Sequence, residues 1–486
     1  MDNKANSSEK AVKKEKMHIS VLITIIVAVI VVAAAFGYAV WRNSDAVFEN
    51  SVAVTVGDTE IYGPEFSYYY YNAVNYFLET YSASGLLDYL GIDTSVSLAT
   101  QECSFDSEIT WAEYFAESAI SNIEQTYVLY LESQKAGFEV NQEEIDETIS
   151  SYRTAFEENA SENNMSVDDY ISLAYGDGVT WDRFVTYAEK ALAASQYQES
   201  ITDGISVNDD EITTYLNDNP YAYYELNYRS VSYSYTADDE ESKTEAKSNA
   251  DEFAANATSE QAYIDLAWAN LAEETQTQYE EDGNTDYSLR TGISASSVPE
   301  AAADWMLSSE RTEGDVTVID NSDANNYTIY YFVSSALKDY KVVNLREIYI
   351  ADTEDNAESI AAEIMEKWES SSKTEDDFIA LVSEYNPDSL TGGLYENVTA
   401  DYMPEAIDSW IFEDGRASGD VSSFHDDTEG SEGYHIVYYV SQGEEYWKYA
   451  IRNSLISQKY NEQYTSMAGN YETTQNDNVV SRVIGI

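Results

Sequence analysis

The feature that most constrains this chain is an internal repeat. Val298-Pro299-Glu300-Ala301, Trp305 and Gly314-Asp315-Val316 recur 105 residues later as Met403-Pro404-Glu405-Ala406, Trp410 and Gly419-Asp420-Val421. Tyr327, Ile329, Tyr331, Val333 and Ser334 recur 107 residues later as Tyr434, Ile436, Tyr438, Val440 and Ser441. Upstream, SEQAYIDLA (259–267) answers TEDDFIALV (374–382), and LNYRSVSYS (226–234) answers VNLREIYIA (343–351). Two copies of one fold must therefore lie in tandem, each of roughly 100 residues, about one small domain.

Within a copy the apolar periodicity sets the element order. Ile436, Tyr438 and Val440 alternate with His435, Val437 and Tyr439 after the turn residue Gly433, a strand with both faces usable. Pro404 opens a helical turn that puts Met403 and Ile407 at i and i+4 on one face. Each copy reads strand, long helix, short helix, helical turn, strand, strand, which is an α+β order.

These motifs resemble the parvulin family of peptidyl-prolyl isomerases. In the second copy the resemblance runs over residues 342–441, through VNLREIYI, DDFIALVSEYNPDSLTGGL with Gly392-Gly393, the Met403-Pro404 turn, GRASGDVSSF and GYHIVYYV. It implies an apolar slot for a proline ring at Met403 and Ile407. It also implies a polar floor of Asp388 and Ser389, His435, and, where the family has a second His, Glu347. The first copy has Thr328 and Ser230 in place of His435 and Glu347 and lacks the double glycine, so it is expected to be silent. His435 also admits a purely structural role as a satisfied histidine in a sheet.

At the other end of the chain, residues 1–17 are polar and carry Lys4, Lys10, Lys13, Lys14 and Lys16. Residues 19–41 then run apolar without a charge for 23 residues, about 34 Å as a helix, enough for a bilayer core of about 30 Å. With Tyr38 and Trp41 at one border and the lysines at the other, the expectation is a transmembrane anchor at 18–42. The N-terminus would lie inside and the remaining chain outside. A cleaved signal peptide, with Ala35, Gly37 and Ala39 near its end, is the alternative.

Between anchor and repeat, a Gly57-Asp58 turn joins two short strands and Pro64 starts a helix carrying Tyr68 to Tyr71. Four adjacent tyrosines spread around a helix, so they are read as core and interface residues and not as a stacking platform. Further helices are expected at 111–136, 142–158, 166–175 with Ser166 as N-cap, 181–202, 207–217 and 445–467. In order and wording this block, from VAVTVGDTEI through LESQKAGFEVNQEEID to ISVNDDEITTYLNDNP, resembles the N-terminal chaperone domain of extracytoplasmic foldases of the PrsA and SurA type. That resemblance implies that the C-terminal helix packs back on the block.

The expected organisation is thus a cytoplasmic 1–17, the anchor 18–42, a helical chaperone domain 46–222 completed by 445–467, a degenerate parvulin-like domain 223–338, a parvulin-like domain 339–443, and a tail 468–486 that is polar and loose over 468–477. The net charge of −65, from 90 acids against 25 bases, excludes nucleic-acid binding and favours solubility and cationic partners. Cys103 is the only cysteine, which excludes an internal disulfide and any multi-cysteine metal site, and it reads as a small buried hydrophobe. His18 and His425 stand without a motif and read as solvated. No HExxH helix, serine elbow or phosphate loop is present. Neither a metal nor a cofactor is implied. Three functions remain: a membrane-anchored foldase for unfolded secreted proteins with isomerase activity in the second copy, a non-catalytic holdase built of the same modules, or a Tyr-rich adhesive surface protein.

Overall fold

A computed structural model describes residues 45–82, 85–281, 286–353, 356–387, 389, 391–428 and 432–485. The run at 19–41, on which the anchor expectation rests, lies outside them. No helix among the described residues is long and apolar enough to cross a membrane. The chain is a mixed helix-and-sheet protein of two compact units, one made of the N-terminal part with residues 456–486, the other of residues 207–455.

In the first unit strands β1 (Val52–Val56) and β2 (Thr59–Tyr62) form a hairpin through Gly57, whose φ of +56° suits the turn. The hairpin feeds the helix Gly63–Ser82, followed by Trp111–Ala136, Gln142–Glu162, Val167–Tyr175 and Trp181–Gly204. Their ends are dictated locally. Thr110 and Glu113 form a reciprocal capping box at the start of Trp111–Ala136, and Gly137 at φ +66° ends it. Ser166 caps its helix by accepting from the Asp169 N–H. The helices close over an aromatic core that includes Phe66, Trp111, Phe115 and Tyr170. Tyr68, Tyr69 and Tyr70 are buried in it, so the tyrosine run is core as read.

The tail departs from expectation. Thr473–Gln475 pairs antiparallel with β1, and Asp477–Ile484 is a helix that buries Val479, Val480 and Ile484 in the same core. The exposed edge of β1 supplies the unpaired backbone groups that a three-residue polar strand needs. From Ile456 onward the long helix Tyr446–Ala468 also lies in this unit, its Tyr464 and Met467 packed on the aromatic core.

The second unit holds two four-stranded antiparallel sheets. Strands β3 (Tyr224–Ser234), β4 (Leu289–Ser294), β5 (Val316–Asn321) and β6 (Asn326–Leu337) take the order β4-β3-β6-β5. Strands β7 (Lys341–Ala351), β8 (Leu394–Val398), β9 (Val421–Asp426) and β10 (Gly433–Glu445) take the matching order β8-β7-β10-β9. The repeat read in the sequence is therefore a repeat of topology. In the second sheet, Ile348, Ile350, Ile436 and Tyr438 face the helices Ala357–Ser370 and Glu375–Tyr385. Val343, Leu345, Val437 and Tyr439, on the other face, pack with the short helix Glu405–Ile411, as alternation along a strand requires.

Each sheet carries a buried arginine on its helix-covered face at the same position of the repeat. Arg229 pairs with Glu260 at 2.7 Å and with Asp286. Arg346 pairs with Glu375 at 2.8 Å and donates to the carbonyls of Thr391 and Gly392 at 2.9 and 2.8 Å. Both glutamates are the first residue of a helix.

Candidate functional site

The site face of the second sheet is built by register. Tyr349 lies opposite His435 and Glu347 opposite Val437 on the central β7–β10 pair, while β9 places Phe424 opposite His435. Side chains directly opposite share a face, so Glu347, Tyr349, His435, Val437 and Phe424 point the same way. His435 Nδ1 and Glu347 Oε1 are 2.5 Å apart, and each side chain is only 9% exposed. The imidazole N–H donates to the carboxylate. The other ring nitrogen, Nε2, is buried with no hydrogen-bond partner. The Tyr349 ring sits 4.9 Å from the imidazole.

The apolar wall is next to this pair. Met403 and Ile407 are buried with Val343, Leu345, Val398 and Val437, and Phe424 and Trp410 pack against them. Ile407 and Phe424 also line a cleft of about 400 Å³ whose mouth carries Glu405, Asp426 and Asp427. The structure thus brings His435, Glu347, Met403 and Ile407 to one face.

Ser389 is placed differently. Its Oγ accepts from the Gly393 N–H at 2.8 Å, and the Gly393 carbonyl accepts from the Glu347 N–H at 2.9 Å, so Ser389 reaches the site through the backbone. Asp388 lies outside the described residues. Gly393 has φ +72°, and a Cβ there would stand 2.4 Å from the Glu347 carbonyl oxygen. Only glycine permits that approach. Asn386 adds a second clamp, accepting from the Tyr349 N–H and donating to its carbonyl, both at 2.9 Å. His425, expected to be solvated, is half-exposed but bonded to Asp352 at 3.0 Å.

Sequence reasoning missed Phe424, Tyr349, Asn386 and Tyr395. Tyr395 lies opposite Leu345 on β8, diagonal to Glu347. Burial first, and the Glu347 carboxylate second, push its phenol up to about 12.

The equivalent face of the first sheet is closed. Thr328 stands where the second has His435, and its hydroxyl lies 2.8 Å from that of Ser232. Tyr330 stands where the second has Val437. It is buried, with its ring 5.5 Å from Tyr228 and its side chain among Ala302, Ala303 and Met306.

An α+β protein with a helical N-terminal unit and two like-ordered sheets is the class defined by this geometry. Residues 11–198 match the family model of the SurA-like N-terminal domain. That match covers less than half of the chain and shows a SurA-like N-terminal domain there. No curated protein matches it. Among solved structures it is similar to the foldase protein PrsA from Streptococcus pneumoniae, at 17% identity over 47% of this chain and 72% of that one, with a TM-score of 0.17. It is also similar to the peptidylprolyl isomerase PrsA from Bacillus cereus, at 16% identity over 63% and 93%, TM-score 0.19. A third likeness is to a SurA-like chaperone of Campylobacter jejuni, PEB4 or Cj1289, at 13% identity over 71% and 98%, TM-score 0.16.

Proposed function

We propose that this chain is a membrane-anchored extracytoplasmic foldase in which residues 339–443 form a parvulin-type isomerase module for X-Pro bonds and residues 223–338 a silent copy. An X-Pro bond turns over a barrier of roughly 18 to 20 kcal/mol, and lowering it needs no nucleophile or metal, only a site that favours the twisted amide. The observation that carries the reading is the buried His435–Glu347 pair beside the Met403–Ile407–Phe424 wall. The wall takes the proline ring, and His435 keeps Nε2 free for the peptide. In the first copy the Tyr330 phenol occupies that space.

A second reading, a holdase without turnover, draws on two observations. Glu347 puts a carboxylate where the family has a neutral histidine. The helical unit exposes Tyr76, Tyr89 and Phe105, surface suited to unfolded chains. The anchor reading rests on the apolar run at 19–41 and its lysine flank. Isomerisation of an X-Pro peptide by the full chain separates the two. Acceleration that His435→Ala abolishes and Glu347→His raises supports the isomerase. No acceleration by wild type or by Glu347→His, with unfolded chains still bound, leaves the holdase.

A further inference from the structure

We infer that the cleft beside the apolar wall selects peptides that carry a lysine or arginine next to the proline. The inference deepens the isomerase reading above and rests on its assignment of the wall to the proline ring. The cleft holds about 400 Å³. Pro404, Glu405 and Ile407, at the start of the helix Glu405–Ile411, line one side, and Phe424, Asp426 and Asp427, at the end of β9, line the other. Ile407 and Phe424 also belong to the wall, so a proline ring set against it leaves the neighbouring side chain of the peptide in the cleft.

The charge around the cleft is one-sided. Residues 401–432 hold ten Asp or Glu against a single Arg, Arg416, and no Lys. Arg416 is committed elsewhere: its guanidinium lies 4.0 Å from the centre of the Trp410 ring, donates to the Trp410 carbonyl at 3.1 Å and pairs with Glu413. His425, the basic side chain lining the cleft, is bonded to Asp352 at 3.0 Å. Glu405 and Asp427 stand exposed at the mouth, and no Lys or Arg lines it. Carboxylates above an apolar floor, with no lysine or arginine of the protein's own beside them, suit a side chain made of an apolar stem and a charged tip. A second, independent feature points to a ligand here. His435 lies opposite Phe424 and shares its face. The two nitrogens of an imidazole point to opposite sides of the ring. Nδ1 is turned toward Glu347 on β7, so Nε2 is turned toward β9, where Phe424 and the cleft are. Nε2 is buried without a hydrogen-bond partner among the described residues, a demand that the backbone of a peptide in the cleft meets.

The chain has three histidines, so 15N-histidine labelling of the full-length protein resolves the His425 and His435 ring signals, and blocked Ala-Lys-Pro-Phe, Ala-Ala-Pro-Phe and Ala-Glu-Pro-Phe peptides can be titrated against them. The Lys peptide is expected to bind roughly 3- to 30-fold more tightly than the Glu peptide, and the ratio should shrink in about 0.5 M salt. Glu405→Gln/Asp427→Asn is expected to bring the ratio within about twofold. Glu358→Gln/Glu366→Gln removes the same charge from the helix Ala357–Ser370 on the other face of the sheet and should preserve the ratio. Equal affinity of the Lys and Glu peptides for the wild type, a ratio that falls as far in the second variant as in the first, or ring signals that no peptide moves, each overturn the inference. Turnover of Ala-Ala-Pro-Phe, measured on the same samples, keeps the two readings apart. Turnover without the preference overturns this inference alone. The preference without turnover removes the isomerase reading and leaves the cleft as a charge-selective peptide site.

Discussion

Replacing His435 by alanine strands a buried carboxylate, and the size of the effect follows from the geometry. Glu347 is 9% exposed at its side chain and accepts from Nδ1 at 2.5 Å. Breaking a buried pair by removing one partner costs about 3 to 5 kcal/mol. At the lower end of that range the effect is about 3 kcal/mol. Loss of the ring contact with Tyr349 adds about 0.5 to 1 kcal/mol. At 1.4 kcal/mol per factor of ten, amide exchange across Gly433–Glu445 should accelerate by roughly 100- to 1000-fold. Hydrogen exchange read by mass spectrometry on the full chain reports that strand directly. The double variant His435→Ala/Glu347→Ala removes the stranded charge and should be more stable than His435→Ala alone, by about 1 to 2 kcal/mol. Exchange changed less than about threefold in the single variant, or a double variant whose destabilisation is the plain sum of the two singles, would refute an energetically coupled pair.

Three further outcomes are expected. Gly393→Ala forces a Cβ to 2.4 Å from the Glu347 carbonyl oxygen at φ +72°, so it should destabilise by about 3 kcal/mol and perturb the His435 ring signals. Gly415→Ala, also at positive φ but in open space, should cost about 1 kcal/mol with those signals unmoved, both by chemical denaturation. Lys190→Met leaves Glu65, buried in the helical unit and otherwise bonded to Lys190 at 3.0 Å and to the Tyr127 hydroxyl, without its cation. At about 3 kcal/mol the melting of that unit should fall by roughly 6 to 12 °C, with partial recovery in Lys190→Met/Glu65→Leu. Protease added outside intact cells should remove everything beyond about residue 43 and spare the lysine-rich segment, and full protection of the large units would overturn the proposed topology.

How much of this was legible depended on whether a signal was local. Helix ends were, because Thr110, Ser166 and Thr374 announce their caps within three residues. The repeat was, because it required only that the chain be compared with itself, and the resemblance carried by its second copy set His435 and Glu347 on neighbouring strands and Met403 with Ile407 on one wall. Phe424 and Tyr395 were not, since each joins the site through the register of an outer strand, and β8, LYENV, has one buried residue in five. The tail was misread for a related reason. Thr473–Gln475 has no apolar pattern of its own, and it is a strand only because β1, over 400 residues earlier, offers an edge.

The two sheets separate what the fold needs from what the site needs. Arg229 and Arg346 are both buried on the helix-covered face, and both meet the glutamate that opens the second helix after their strand. A guanidinium in that position is costly to bury without partners, and each sheet supplies several: Glu260 and Asp286 for Arg229, Glu375 and the Thr391 and Gly392 carbonyls for Arg346. The opposite face carries no such obligation. There the first sheet fills its space with Tyr330 and Tyr228, while the second has Val437 and spends the released volume on His435, Glu347 and the Met403–Ile407 wall. A phenol exceeds an isopropyl group by several heavy atoms, enough to occupy a slot meant for a proline ring. One topology can thus be stable with this face filled by aromatic rings or with a buried hydrogen-bonded His–Glu pair beside a smaller apolar cluster. On the isomerase reading proposed above, a bound peptide is what meets the unpartnered Nε2 of the second sheet, a demand with no counterpart at Thr328 in the first.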